Sequence, residues 1–142
     1  MPEQAHAPIP VAGVDHIAIA VPDIEAAAHL LSSRFGIPVG DAKEVPTQNV
    51  RIAYADLGNV KLELVAPLGP SSPVAGFLEK RPLGGLHHIC FSVPDVEEAH
   101  ANALSNGMST TGPPRPGHHG RDLFFLSPKE TLGALVEIES RD

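Results

Sequence analysis

The sequence predicts an α+β protein built from two tandem βαβββ modules that form a metal-binding cavity. Three observations carry that expectation: a strand written twice, a helix that follows it twice, and a histidine–glutamate pair at nearly the same spacing in each copy. Residues 14–27 read VDHIAIAVPDIEAA and residues 87–99 read HHICFSVPDVEEA. A constant offset of 72 residues aligns His16 with His88, Ile17 with Ile89, Val21 with Val93, and Pro22-Asp23 with Pro94-Asp95. An internal repeat of this kind settles the architecture before any single element is read.

The elements follow in order. Proline ends each repeated strand, and Asp23 or Asp95 is placed to cap the helix behind it. The helices are expected over residues 24–36 (IEAAAHLLSSRFG) and 96–107 (VEEAHANALSNG), both rich in Ala, Leu and Glu, with Gly36 and Gly107 as C-terminal caps. Strands follow at residues 49–56 (NVRIAYAD) and 121–127 (RDLFFLS). After a turn each copy has a last strand, residues 61–66 (KLELVA) and 134–139 (ALVEIE). One more short strand fits around residues 40–45 and around residues 109–112. The chain therefore divides into a flexible N-terminal arm (1–12), a first module (13–66), a connecting segment with a short helix at 72–80 (67–85), and a second module (86–142).

Alternation along a strand decides which side chains share a face. In the first copy Ile17, Ile19 and Val21 oppose His16, Ala18 and Ala20. In the second, Ile89, Phe91 and Val93 oppose His88, Cys90 and Ser92. The bulky faces are expected under the helices, and the histidine faces toward a cavity. On the last strands Glu63 lies between Leu62 and Leu64, and Glu137 between Val136 and Ile138. The His-to-Glu separations are 47 and 49 residues. A pseudo-twofold relation between the copies would gather His16, Glu63, His88 and Glu137. Two imidazoles and two carboxylates suit a borderline or hard divalent ion, Co²⁺ first, with Mn²⁺, Ni²⁺, Zn²⁺ or Mg²⁺ as alternatives. The absence of paired thiolates argues against a structural zinc site. Glu139 reads as solvent-facing, His87 as support for the turn after Gly84-Gly85, and Cys90 as a small core residue.

Composition narrows the function classes. A formal charge of -7 with ten scattered basic residues disfavours a phosphate-backbone partner, so no nucleic acid is expected. No apolar run reaches the roughly 20 residues that span a bilayer, so no membrane is expected. The opening MPEQAHAPIPVAG lacks the basic and apolar regions of a secretory signal, and a single cysteine fits a reducing compartment. A cytoplasmic location is the expectation.

With the paired strands HIAIAVPD and HHICFSVPD in view, the chain resembles the vicinal oxygen chelate superfamily, which is built from two βαβββ modules around a divalent metal. Within it, NVKLELVAPLG, SSPVAGFLEK, GGLHHICFSV and FLSPKETLGALVEIE are similar to the methylmalonyl-CoA epimerase family. That resemblance implies metal ligands at His16, Glu63, His88 and Glu137, an acyl-CoA thioester as substrate, and a homodimer. It further implies interconversion of (R)- and (S)-methylmalonyl-CoA, or of a related short branched acyl-CoA, by α-proton transfer through an enolate. Glu137 is the first choice of general base and Glu63 a second.

Two departures stand out. Some epimerases carry a glutamate in the middle of the strand matching NVRIAYA, proposed there as a catalytic base, and the matching position here is read as Arg51. The loop PPRPGHHGRDLFFLSPK has His118-His119-Gly120 where the family commonly has one His-Gly. Its glycines either provide turns in a mobile loop or belong to a lid. In the lid reading His118 or His119, Arg121, Lys129 and, from its own strand, Arg51 are candidate contacts for an anionic substrate group. Two alternatives share the frame: a glyoxalase I-type lyase acting on a glutathione hemithioacetal, and a metal-free small-molecule binding module.

Overall fold

A computed structural model describes residues 7–117 and 119–141. Two compact units emerge. One runs from His16 to His88, and the other combines the residues before His16 with those after His88. Among the described residues there are eight strands and three α-helices. The chain passes from one unit to the other within the two repeated strands.

In the His16–His88 unit, β1 (Gly13–Ala20) gives way to α1 (Ile24–Phe35) at the Pro22-Asp23 stop. The Asp23 carboxylate accepts the Ala26 N–H at 3.1 Å, a cap worth about 1 kcal/mol. Gly36 ends the helix in the left-handed conformation, φ 67°, where a Cβ would be strained. Then come β2 (Lys43–Val45), β3 (Val50–Asp56) and β4 (Lys61–Pro67), the last two joined by a tight turn. The strand order is β2-β3-β4-β1, with β1 parallel to β4 and the other pairs antiparallel. The register sets Ala18 beside Glu63 on one side and Tyr54 opposite Glu63 on the other.

Each face of this sheet has its own packing. Ile19, Val21, Ala53, Leu64 and Ala66 pack with Ile24, Ala27, Ala28 and Leu31 of α1, as the alternation predicts. The histidine-bearing face is not left wholly open. Ala18 and Ala20, both fully buried, join Ile52 and Val65 against Val74, Phe77 and Leu78 of α2 (Pro73–Lys80). The connecting segment thus covers Ala18 and Ala20 on the face that alternation alone assigns to a cavity. Small side chains at 18 and 20 are what let α2 approach.

The other unit repeats the plan. β5 (Gly85–Val93) leads to α3 (Val96–Ser105), capped by Asp95, which accepts the N–H groups of Glu97 and Glu98 at 3.0 and 3.2 Å. After β6 (Arg115–Pro116), β7 (Asp122–Leu126) and β8 (Leu135–Ser140) form an antiparallel pair in the strand order β5-β8-β7-β6. Phe91, Val93, Phe124, Leu126, Val136 and Ile138 pack with Val96, Ala99 and Ala103 of α3.

Two local expectations change. The short strand expected at 109–112 reduces to one bridge, Thr110 with Leu126, and the edge strand forms instead at Arg115–Pro116. Gly112 at φ 125° and the Pro113-Pro114 pair interrupt the ladder. Residues 7–12, read as the end of a flexible arm, are held. Asn102 and Asn106 donate to the Pro8 and Ala7 carbonyls, each at 3.0 Å, and the Ala12 N–H bonds to the Ser92 carbonyl at 2.8 Å. Composition misses this because the contacts use backbone carbonyls.

Candidate active site and metal centre

Three of the four residues singled out by the repeat meet within the His16–His88 unit. His16 opens the paired part of β1, Glu63 lies mid-β4, and His88 stands on β5 after the Gly84-Gly85 turn. All are buried, at 2%, 5% and 8% exposure. The two Nε2 atoms are 3.3 Å apart, and each is 3.6 Å from the same carboxylate oxygen, Glu63 Oε1. These N···O distances exceed the 2.7–3.2 Å range of an ordinary hydrogen bond. The three atoms converge on one point. Donors about 2.1 Å from one ion and at right angles to each other lie about 3 Å apart, so the set fits a divalent metal with mixed nitrogen and oxygen ligands.

The second oxygen of Glu63 is already engaged. Tyr54, its cross-strand neighbour, donates its hydroxyl to Glu63 Oε2 at 2.6 Å. That bond leaves Oε1 aimed at the histidines. Tyr54 escaped the sequence reading, although counting back through the tight β3–β4 turn pairs it with Glu63. A corresponding pair occurs on β7 and β8, where Phe125 lies opposite Glu137. Glu137 is 5% exposed and points, with Glu139, to the face of β8 opposite Val136 and Ile138. Phe125 has no hydroxyl to offer it.

The remaining candidates are distributed differently. Glu139, expected to face solvent, is 1% exposed. Its Oε2 is 2.9 Å from His119 Nε2 and its Oε1 is 3.3 Å from an Arg121 nitrogen, while Arg121 also reaches Asp15 at 4.0 Å. The Cys90 thiol sits 4.0 Å from the same carboxylate. A buried carboxylate needs such compensation, and the loop supplies it. His119 and Arg121 are thereby fastened to β8. His118 lies outside the described residues, and Lys129 is exposed on the 3-10 turn Pro128–Glu130.

Arg51 is not brought to the histidines. Strand alternation puts it on the α1 side of β3, with Ala53, whereas Ile52 and Tyr54 share the face of Glu63. Its guanidinium makes two bonds to Glu25 of α1, at 3.2 and 3.0 Å. That pairing holds the exposed Glu25 carboxyl below the usual carboxylate range and raises Arg51.

The chain is similar to known proteins over most of its length. The Glyoxalase/Bleomycin resistance protein/Dioxygenase superfamily matches residues 15–125. The ethylmalonyl-CoA/methylmalonyl-CoA epimerase of Cereibacter sphaeroides is 44% identical over 128 residues, 89% of this chain and 96% of that protein. The human mitochondrial methylmalonyl-CoA epimerase is 41% identical over 127 residues, 89% of this chain and 72% of the relative. A variant of Streptomyces coelicolor methylmalonyl-CoA epimerase in complex with 2-nitronate-propionyl-CoA superposes with a TM-score of 0.83 at 31% identity, covering 92% of this chain and 94% of that one. The chain has the vicinal oxygen chelate fold and belongs to the methylmalonyl-CoA epimerase family.

Proposed function

We propose that the protein is a metal-dependent isomerase that epimerises methylmalonyl-CoA, or a related short branched acyl-CoA, by moving the α-proton between the two faces of an enolate. The observation that carries the metal half of this reading is the convergence of His16 Nε2, His88 Nε2 and Glu63 Oε1 at 3.3–3.6 Å. The family carries the chemistry. Glu137 joins the set on the strength of the repeat, which gives it the position of Glu63 on the matching strand. A divalent ion held by these residues would supply positive charge where negative charge develops on the substrate. We propose Co²⁺, with Mn²⁺, Ni²⁺, Zn²⁺ or Mg²⁺ as the other ions this donor set accepts.

The two carboxylates then divide the work. Glu63 serves as a ligand, since its Tyr54 bond occupies Oε2 and leaves Oε1 toward the two histidines. Glu137, at the matching position on β8, serves as the general base for one face. His119 belongs among the candidates for the other face only if it leaves Glu139. Its present bond holds it to Glu139 of β8. A homodimer in a reducing, cytoplasmic compartment completes the reading, consistent with the single buried thiol of Cys90.

The test pairs metal content with chemistry. His16→Ala combined with His88→Ala should abolish stoichiometric divalent metal after dialysis, and unchanged metal content would show that the ligands lie elsewhere. Incubation of the metal-loaded protein in D₂O should place deuterium at the α-carbon of methylmalonyl-CoA. Turnover of a glutathione hemithioacetal without such uptake would establish the lyase instead.

A further inference from the structure

The dipeptide His87-His88 raises a question that ligand assignment does not absorb: what the first histidine does. On a strand its side chain should point away from that of His88. Yet His87 Nδ1 lies 2.8 Å from His88 Nδ1, and the two rings meet at 75° with centroids 5.1 Å apart. A close contact between two ring nitrogens holds one proton, given by one ring and accepted by the other. Which ring gives it fixes the opposite nitrogen of His88. If His88 donates from Nδ1, its Nε2 turns a lone pair toward Glu63 Oε1 and His16 Nε2. If it accepts, Nε2 carries a proton there and cannot bind a metal.

We propose that His87 is a positioning residue that accepts the Nδ1 proton of His88 and so presents the His88 Nε2 lone pair to the metal. This rests on the metal reading of the His16–Glu63–His88 set and deepens it. Metal-binding histidines ordinarily give their second N–H to an outer partner, which sets tautomer and ring orientation together. Here that partner is another imidazole, and it is held from behind. The His87 ring packs edge-on against Phe77 of α2, centroids 5.1 Å apart, and the Arg81 guanidinium covers Phe77 at 4.5 Å.

The turn ahead of the pair serves the same arrangement. Gly84 adopts φ 94°, and a Cβ there would lie 2.4 Å from the Ala20 carbonyl oxygen, so only glycine lets β5 start so close to the end of β1. Gly85 faces the Arg81 and Phe77 side chains, where a Cβ would make ordinary contact at 3.4 and 3.8 Å. The segment Gly84–His88 is therefore a support for one ligand, built on α2. This gives the connecting segment a task in the site.

The experiment uses the whole chain loaded with Zn²⁺, which is diamagnetic, and reads ring tautomers by ¹⁵N-resolved NMR, with Zn²⁺ affinity by competition against a chelator. In the wild-type protein His88 should carry its proton on Nδ1 and His87 on Nε2. His87→Phe keeps a ring against Phe77 but removes the acceptor, and should weaken Zn²⁺ binding about 10- to 100-fold. His87→Asn restores an acceptor near the Nδ1 position and should bind within a few-fold of wild type. A proton on His87 Nδ1 in the loaded wild-type protein would overturn the proposal, whether or not the variants fold. So would His87→Phe binding Zn²⁺ as tightly as wild type. A wild-type chain that takes up no Zn²⁺ would overturn the metal reading itself, an outcome distinct from both.

Discussion

The last strands of the two units carry the same glutamate in different company. Opposite Glu63 stands Tyr54, whose hydroxyl holds one carboxylate oxygen at 2.6 Å, and opposite Glu137 stands Phe125. Two residues further along, Val65 lies under the apolar side chains of α2, whereas Glu139 lies under His119 and Arg121. The repeat supplies equivalent carboxylates, and their neighbours make them unequal. Epimerisation needs that inequality, because a proton must leave one face of a carbon and return to the other. A carboxylate whose second oxygen is held by Tyr54 suits the work of a ligand, which leaves the work of a base to the other glutamate.

The comparison can be broken at its edges. Glu139→Ala should cost the most stability, at the low end of the about 3–5 kcal/mol typical of a broken buried pair, since His119 and Arg121 keep about a quarter of their side chains in solvent. Denaturant unfolding measures it, and a loss below about 1 kcal/mol would mean the cluster contributes little. Next comes Tyr54→Phe, which makes the first unit resemble the second. Loss of a hydrogen bond to a charged carboxylate should cost about 1.5–3 kcal/mol and loosen metal binding with it. Unchanged stability and affinity would remove the tether from the account.

The smallest effect belongs to Arg51→Ala. The lowered Glu25 value means the pair contributes in full above the ordinary carboxylate range, and the contribution is lost as pH falls through the lowered value. Being exposed, the pair should leave α-proton exchange unchanged and shift unfolding only slightly at neutral pH. A large loss of exchange would return Arg51 to the site.

Much of this was legible in the residues. The offset between the HI strands, the Pro-Asp stops and the alternation along KLELVA and ALVEIE depend on local periodicity, and so they give the strand faces, the capped helices and the ligand candidates. Tyr54 was within reach by counting across the tight turn. Arg51 lies in the middle of its strand, but alternation along β3 turns it to the α1 face, where it pairs with Glu25. Glu139 was taken as solvent-facing because its partners sit some twenty residues upstream in an irregular loop, which no periodicity predicts. The contact between His87 and His88 runs against simple alternation, and it goes with the glycine turn at Gly84 and the packing of Phe77 from α2.

The central claim is the division between the two glutamates, and one paired measurement tests it most directly. Glu137→Gln and Glu63→Gln are each loaded with metal, and α-proton exchange of methylmalonyl-CoA is followed in D₂O. Glu137→Gln should lose about 10²- to 10⁴-fold in exchange while still binding metal. Glu63→Gln, which keeps an oxygen for the ion, should retain most of the exchange rate at saturating metal. Near-normal exchange in Glu137→Gln, or a larger loss in Glu63→Gln than in Glu137→Gln, would contradict the account.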